Sequence, residues 1–364
     1  MLNSLGLPKS PQQTKVCVAM SGGVDSSATA AMLKKEGYDI FGITMDLLTP
    51  PYRPEHSSVA DAAKVADKLG IPHCFLDLRE KFAREVVDYF ADSYLHGLTP
   101  SPCIMCNRHI KLGALADKAR SLGADIIVTG HYADIRLTSH GVELHRAEDL
   151  RRDQSYFLFA VDKHTLQMLR CPLASYTKAQ TRAIARDAGL EVSQKPDSQD
   201  ICFVPDGDYA KVIENRTGKT PEPGPFLDLN GNVIGTHRGI IHYTVGQRRG
   251  LRMPSDGKIY VVRILPEQNA VVVGPNEALF TRACFVPGMH WISGEAPALP
   301  FRCSAKTRYR QPEQPCTVYP AGEAGVRLVF DEPLRAITPG QSAVLYDGDT
   351  VLGGGIIARE DAAC

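Results

Sequence analysis

Strand-like and helix-like stretches alternate through the first 130 residues, and this alternation limits the possible folds more than any other feature of the chain. Short apolar stretches such as KVCVAM (15–20) and ADIIVTGHY (124–132) are separated by segments of helical period. In one such segment Val59, Ala62 and Ala66 fall on a single helical face. The pattern is typical of βαβ units, so we predict the α/β class with a doubly wound parallel sheet.

Two smaller domains are expected to follow. At 364 residues the chain is longer than one ordinary compact core. Residues 212–283 combine Pro and Gly breaks with short apolar pieces, which predicts a small linking domain. Residues 284–364 form short, alternating, turn-separated segments, which predict a C-terminal antiparallel β-barrel. The parallel-sheet domain is therefore assigned to residues 1–211.

Charge and composition narrow the classes of partner. The 41 Lys and Arg residues balance 41 Asp and Glu residues, so no whole-molecule positive field attracts a polyanion and any nucleic-acid surface is local. No stretch reaches the roughly 18 apolar residues of a membrane span. A cytoplasmic protein without a membrane partner is expected. The ten cysteines lack the dense spacing of a secreted disulfide scaffold, so most are expected to be reduced.

A glycine-rich turn, SGGVDSS (21–27), stands between the first strand and the first predicted helix. The backbone N–H groups of Ser21, Gly22 and Gly23, with the amino end of the helix, would form a cradle for an anion. No lysine follows as in GxxxxGK[ST], and the next strand is predicted to end at Met45 rather than at the acidic residue that accompanies GxGxxG. The plainer alternative is a glycine turn beside a helix that Asp25 or Ser26 caps.

The SGGVDSS motif resembles the signature of the PP-loop ATP pyrophosphatases. Enzymes of this family cleave ATP between the α and β phosphates and form an adenylated substrate and pyrophosphate. The resemblance implies ATP and Mg²⁺ as cofactors, with Asp25 oriented towards the metal ion.

Two cysteines of TPSPCIMCNRHIK (99–111) are candidates for chemistry. Cys103 and Cys106 are predicted to lie in a loop just before a helix that Asn107 caps. The helix dipole and the basic side chains of RHIK (108–111) would favour the thiolate. A zinc half-site that includes the histidine of this segment, or a thioredoxin-like redox pair, remains an alternative.

A further cysteine, Cys202, lies in DSQDICF (197–203), at a boundary between a loop and a strand. A buried core thiol is its plainer interpretation. The presence of the ATP-type loop elsewhere in the chain favours a catalytic role for the Cys202 thiol.

Eight motifs in order, covering nearly the whole chain, resemble the tRNA-specific 2-thiouridylase family. They are SGGVDSS, the CN dipeptide at 106–107, GADIIVTGHYA, RRDQSYFL, DSQDICF, HYTVGQRRGL, KTRYRQ and TPGQSAVLYDGD.

This resemblance implies ATP-dependent 2-thiolation of the wobble uridine of tRNA. Transfer of AMP to the C2 oxygen would make that oxygen a good leaving group. Cys202 would carry a persulfide delivered by a sulfur-donor protein, either a cysteine desulfurase or a sulfur-relay protein. Cys106 would be the nucleophile that releases the sulfur, and it can end in a disulfide with Cys202. Direct persulfide attack and release of free sulfide both stay open.

The resemblance also implies two sets of binding residues. Those for ATP are Ala19, Met20, Ser21, Gly22, Gly23, Val24, Asp25, Ser26, Met45 and Gly130. Those for tRNA are Ser101, Pro102, Cys103, His131, Arg152, Asp153, Gln154, Arg308, Tyr309 and Gln341, with His131 near the target base.

Two of the RNA segments are informative in themselves. KTRYRQ (306–311) alternates basic with aromatic or amide residues, so we predict a strand from which Arg308 and Tyr309 project on opposite faces. Ser101, Pro102 and Cys103 stand where the family commonly has Asn-Pro-Asp or Asn-Pro-Cys. Serine keeps a short hydrogen-bonding side chain with a different reach, and Cys103 cannot act as a carboxylate acid or base.

Three other functions remain possible at this point. A PP-loop ligase would need an ammonia source or a carboxylate substrate, and the chain shows no amino-terminal cysteine glutaminase. An ATP-sensing or zinc-containing RNA-binding protein would bind without turnover. A related thiolase would modify another tRNA position or insert selenium.

Overall fold

The computed structural model describes residues 2–49, 58–195, 201–204, 207–251, 257–322 and 325–359. The segment PPYRPEH after Met45 and the DSQD part of the motif before Cys202 therefore lie outside the described residues.

Strands and helices are numbered here in chain order. The strands are β1 (Lys15–Ala19), β2 (Asp39–Asp46), β3 (His73–Asp77), β4 (Ile126–Val128), β5 (Asp134–Thr138), β6 (Gly141–His145), β7 (Leu169–Arg170), β8 (Gly224–Leu227), β9 (Val233–His237), β10 (Tyr260–Leu265), β11 (Ala270–Gly274), β12 (Phe280–Val286), β13 (His290–Trp291), β14 (Phe301–Lys306), β15 (Gln314–Ala321), β16 (Gly325–Arg335), β17 (Ser342–Asp347) and β18 (Thr350–Ile356). The helices are α1 (Val24–Lys35), α2 (Ser58–Leu69), α3 (79–95), α4 (102–121), α5 (Lys163–Met168), α6 (Lys178–Asp187) and α7 (Tyr209–Thr217).

Two of these helices contain a π-helical stretch. The stretch covers Ala83–Asp88 in α3 and Cys106–Ala114 in α4. Stretches of this kind are frequent at functional sites. The four helices that the sequence predicts to stop at a glycine each do so at one in the left-handed conformation; these glycines are Gly37, Gly70, Gly97 and Gly123.

The first sheet is parallel, with strand order β3-β2-β1-β4-β7. Val16 and Val18 of β1 pack with α1, α2 and α6 on one face, whereas Cys17 packs with α4 on the other. Both faces are covered because every crossover helix returns over the sheet. The predicted doubly wound α/β fold is confirmed. Its topological switch point lies between β1 and β4, where such folds bind ligands.

The middle sheet has strand order β10-β11-β8-β9. Its buried side chains Phe226, Val261 and Val271 share one apolar cluster with α3 and with Cys106 of α4. The middle domain therefore contributes side chains to the apolar packing around Cys106.

The third sheet has strand order β12-β16-β15-β14-β17-β18-β6-β5, and all its paired strands are antiparallel. The Ala358 N–H donates to the Phe285 carbonyl at 3.0 Å, so the chain just after β18 returns to β12. Apolar side chains including Val318, Leu328 and Leu345 fill the interior. The predicted barrel-like antiparallel domain is confirmed.

One element of this barrel comes from the first part of the chain. The hairpin β5–β6 pairs with β18, with Leu144 opposite Val351 and His145 opposite Thr350. The sequence pattern did not reveal this, because the partner strand lies about two hundred residues later. The hairpin ties the parallel-sheet domain to the barrel. Among the described residues, no helix is long and apolar enough to cross a bilayer.

We expect the buried side of this hairpin to stabilise the barrel. Leu144 is 0% exposed, whereas Leu137 on the same hairpin is 52% exposed. Leu144→Ala should lower the free energy of unfolding by about 2 to 5 kcal/mol, because it leaves a cavity in the core. Leu137→Ala should change it by less than about 0.5 kcal/mol. Urea unfolding followed by the fluorescence of Trp291, whose strand pairs with β18, measures both. Equal effects of the two substitutions would contradict the assignment.

Candidate active site

The loop between β1 and α1 has the shape that its sequence predicts. Gly22 has φ of 68°, a left-handed conformation that glycine adopts without strain. The Ser21 N–H donates to Ser26 Oγ at 3.1 Å, and Ser27 Oγ donates to the Gly23 carbonyl at 2.8 Å. Gly23 is the N-cap and offers no side chain, so the helix begins at Val24. The alternative of a simple Asp25 or serine cap is therefore wrong.

The predicted ATP residues lie at the carboxyl ends of three neighbouring strands. Ala19 ends β1, Met45 is near the end of β2, and Gly130 follows β4. A Cβ atom on Gly130 would lie 2.7 Å from the backbone nitrogen of Ser26. Residue 130 is glycine because the backbone after β4 lies directly against the first turn of α1.

The Asp25 carboxylate is held by two side chains that sequence reasoning missed. The Tyr132 hydroxyl donates to Asp25 Oδ1 at 2.9 Å, and the Lys178 ammonium lies 2.8 Å from both oxygens. Neither residue belongs to a nucleotide-binding motif. Tyr132 comes shortly after β4 and Lys178 opens α6, so only the tertiary fold brings them to the loop.

The cysteines of α4 are placed differently from our prediction. Cys106 lies inside the helix and is buried, whereas Cys103, near its amino end, is exposed. Asn107 also lies inside the helix, where its Nδ2 donates to the Phe157 carbonyl at 3.1 Å, so its predicted capping role is wrong. Burial raises the pKa of the Cys106 thiol to about 12. The predicted bias towards the thiolate is therefore also wrong, because desolvation outweighs the nearby positive charge.

One lysine joins the three cysteines into a cluster. The charge of Lys111 lowers the pKa of Cys106, and the Cys202 and Cys103 thiols raise it. Burial disfavours the Lys111 charge, but the same three thiols outweigh it and raise the pKa of the ammonium. Desolvation also raises the pKa of Cys202, although its side chain keeps exposed surface. We call Cys103, Cys106, Lys111 and Cys202 the cysteine–lysine cluster.

The other two basic residues of this helix segment do not belong to the cluster. His109 interacts electrostatically with Arg108 and with Glu85 and Lys81 of α3. The nine cysteines within the described residues are free thiols. Within the described part of the chain, no three His, Cys, Asp or Glu side chains converge as a metal site requires. The zinc alternative gains no support from this geometry.

His131 and the residue before it have neighbours in the cluster and in the SGGVDSS loop (21–27), respectively. We call that loop the phosphate loop because of its predicted role. His131 Nδ1 lies 2.9 Å from Thr129 Oγ1. Burial, together with the charge of Lys111, lowers its pKa to about 3, so the ring is neutral at physiological pH. Gly130, the preceding residue, touches the first turn of α1. Two consecutive residues thus relate the loop between β1 and α1 to Lys111 of the cluster.

The loop before α4 is attached to the barrel. Gln341 Nε2 donates to the Thr99 carbonyl at 2.8 Å, and the Thr99 N–H donates to the Pro339 carbonyl at 2.9 Å. Ser101 is the N-cap of α4, and Pro102 occupies its first turn. The barrel therefore positions the Ser101–Pro102–Cys103 segment.

The RDQ segment before the Ser155 turn shows one exposed side chain. Arg152 is exposed, but Asp153 is buried and accepts from the N–H groups of Ala147 and Ser155 at 3.2 and 3.1 Å. Gln154 Oε1 accepts from the Tyr132 N–H at 3.0 Å. Asp153 and Gln154 hold the loop that displays Arg152.

The predicted strand over KTRYRQ is wrong. β14 ends at Lys306, and the Gln311 N–H donates to the Arg308 carbonyl at 3.2 Å, which makes a turn. The Arg308 guanidinium donates to the Val245 carbonyl at 3.0 Å and to the Thr338 hydroxyl. The Tyr309 ring lies 4.4 Å from that of Phe157 and is half-buried. Tertiary contacts with the middle domain override the alternating pattern.

We expect Lys111 to control the reactivity of Cys106. Lys111→Met should raise the pKa of the Cys106 thiol further and slow its alkylation at pH 8, by roughly tenfold for each pKa unit. Lys118→Met, on the same helix, is the control. Peptide-level mass spectrometry after a timed iodoacetamide pulse separates Cys106 from Cys103. Unchanged Cys106 alkylation in the Lys111 variant would contradict the electrostatic cluster.

Comparison with known proteins identifies the family of each of the three domains. Residues 14–206 match the family described as tRNA methyl transferase HUP domain. Residues 210–275 match the tRNA methyl transferase PRC-barrel domain, and residues 281–357 match the aminomethyltransferase beta-barrel domain.

Curated proteins match over the full length. The tRNA-specific 2-thiouridylase MnmA of Rhodospirillum centenum is 47% identical, over 100% of this chain and 96% of that protein. The protein of the same name from Paracoccus denitrificans is 45% identical over 98% of this chain and 95% of its own length. That of Acetivibrio thermocellus is 46% identical over 94% and 99%. The chain belongs to the tRNA-specific 2-thiouridylase family.

Proposed function

We propose that this protein is a tRNA-uridine 2-sulfurtransferase that uses ATP to convert the wobble uridine of tRNA into 2-thiouridine. The observation that carries the proposal is the pair Gly130 and His131. One residue lies against the phosphate loop, and the next interacts electrostatically with Lys111 of the cysteine–lysine cluster. Activation by ATP and delivery of sulfur can therefore act on one base.

The phosphate loop fits ATP and Mg²⁺. The backbone of Ser21 to Gly23 and the first turn of α1 offer N–H groups without bulky side chains. Asp25 supplies carboxylate oxygens, the ligand type that Mg²⁺ prefers alongside phosphate oxygens and water. When bound, Mg²⁺ would neutralise phosphate charge. Asp25 would hold the ion at the loop.

Activation of the base needs the uridine to leave its stack. We place its ring near His131, whose neutral imidazole can hydrogen-bond the base without repelling Lys111. The C2 oxygen attacks the α phosphorus, the bond to the β phosphate breaks, and pyrophosphate leaves. The carbonyl oxygen then leaves later as AMP.

Sulfur delivery uses the difference in solvent exposure between two thiols. Cys202 is exposed, as a persulfide acceptor must be to meet a sulfur-donor protein. Cys106 is buried beside it, and Lys111 supplies the charge that stabilises a thiolate when one forms. Attack of Cys106 on the inner sulfur of the Cys202 persulfide forms a Cys106–Cys202 disulfide and frees the outer sulfur for C2. A dithiol reductant then restores both thiols.

Recognition of tRNA is assigned to the exposed basic positions and to the barrel. Arg152 lies on the loop next to Tyr132, and Arg248 and Arg249 are exposed on the middle domain. We propose that residues 1–211 catalyse, 212–283 link and 284–364 hold the tRNA. Because the net charge is zero, these local groups supply the attraction to phosphate.

Loss of either proposed catalytic thiol should abolish the product. Cys106→Ser and Cys202→Ser should each give no detectable 2-thiouridine while tRNA affinity stays within about twofold, because neither thiol supplies charge to the RNA. Cys74→Ser, a cysteine outside the cluster, is the control. Mass analysis of nucleosides after incubation with ATP, unmodified tRNA, a dithiol reductant and a cysteine desulfurase with its cysteine substrate measures product. Normal product from both variants would refute the sulfur assignment.

Two arginines should differ in what they contribute. Arg152→Ala should weaken tRNA binding and reduce the salt dependence by about one unit of slope, with the melting temperature unchanged. Arg308→Ala should also lower the melting temperature, because Arg308 joins the barrel to the middle domain. Arg186→Ala is an exposed control. Filter binding at several salt concentrations and thermal unfolding report the two effects. Identical behaviour of the Arg152 and Arg308 variants would argue against the distinction.

A further inference from the structure

The phosphate loop lacks a cation of its own. SGGVDSS contains neither lysine nor arginine, although a triphosphate brings several negative charges to a narrow cradle. The loop's only charged side chain, Asp25, is itself negative. A positive group must come from another element if the protein is to offset the charge of the β and γ phosphates.

Lys178 reaches the loop from α6. Its ammonium lies 2.8 Å from both oxygens of Asp25, and its side chain is only 12% exposed. Because the lysine side chain is mostly buried and paired with Asp25, its positive charge stays next to the loop. An ion pair that is mostly removed from water is costly unless it is well bonded, and the Tyr132 hydroxyl completes the bonding of Asp25.

The position of Lys178 is set by a rigid helix start. Thr177 caps α6 in a capping box with Gln180, whose Oε1 accepts from the Thr177 N–H at 2.8 Å. Thr181 Oγ1, in the first turn, lies 3.0 Å from the Tyr132 hydroxyl oxygen, within hydrogen-bond distance. The same tyrosine therefore ties both Asp25 and α6 together.

Resting on the proposed function, we propose that Lys178 is the phosphate-binding cation of the ATP site. In the protein without nucleotide the Lys178 ammonium forms an ion pair with the Asp25 carboxylate. When Mg²⁺ and ATP enter, the ammonium transfers to the β and γ phosphate oxygens while the Asp25 carboxylate turns to the metal ion. Every charge keeps a partner in both states, so the exchange avoids leaving an unpaired ion in a partly buried site.

The test compares two ligands that differ in the phosphates Lys178 would bind. Calorimetric titration with Mg²⁺ and α,β-methylene-ATP should show a Kd at least tenfold higher for Lys178→Met than for the parent protein. The Kd for AMP should change by less than twofold. For Lys178→Arg the Kd of the analogue should lie between the values for the parent protein and for Lys178→Met, because arginine keeps the positive charge. Lys35→Met, an exposed lysine at the far end of α1, is the matched control.

A second measurement needs no variant. Acetylation of Lys178 in the parent protein, read by peptide mass spectrometry, should slow several-fold with the ATP analogue and change little with AMP. An unchanged analogue Kd in Lys178→Met, or an equal loss for the analogue and AMP, would overturn the proposal. So would equal labelling with both ligands if the methionine variant does not fold.

The outcome is separable from that of the proposed function. A parent protein that binds the analogue through Lys178 but makes no 2-thiouridine would refute only the proposed function. A protein that thiolates tRNA while Lys178→Met binds the analogue normally would refute only the role of Lys178.

Discussion

The close approach of the backbone after β4 to the first turn of α1 is the constraint on which the site depends. Gly130 has no room for a Cβ against Ser26, and its neighbour His131 interacts electrostatically with Lys111 of the cysteine–lysine cluster. The phosphate loop and the cluster, which use different elements, are thereby linked through one strand end. A larger residue at 130 would separate the strand end from the helix and so move both halves of the site.

The electrostatics of the cluster differ from those of an ordinary reactive cysteine. Helix-start cysteines have low pKa values because the backbone dipole favours the thiolate. Cys106 instead lies in the π-helical stretch of α4, where burial raises its pKa and Lys111 only partly opposes it. The thiol stays protonated and protected at neutral pH. A buried thiol of this kind is consistent with the proposed mechanism, in which the exposed Cys202 carries the reactive sulfur.

The barrel is an integral part of this site. Gln341 holds the carbonyl of Thr99 just before α4, and Arg308 bridges the barrel to Val245 of the middle domain. The β5–β6 hairpin completes the barrel sheet from the parallel-sheet side. Side chains expected to contact RNA thus also join domains. Binding of tRNA to the barrel would act on the same connections that orient the cysteine helix.

The sequence by itself determined the parallel sheet, the phosphate loop and the barrel, because these follow from local periods and short glycine motifs. It also singled out Cys106 and Cys202, which the structure brings to one cluster. Only the tertiary structure decided that Cys106 is buried, that residues 307–311 turn and that Lys178 meets Asp25. Burial and long-range ion pairs depend on which distant segments pack together, and no local pattern records that packing.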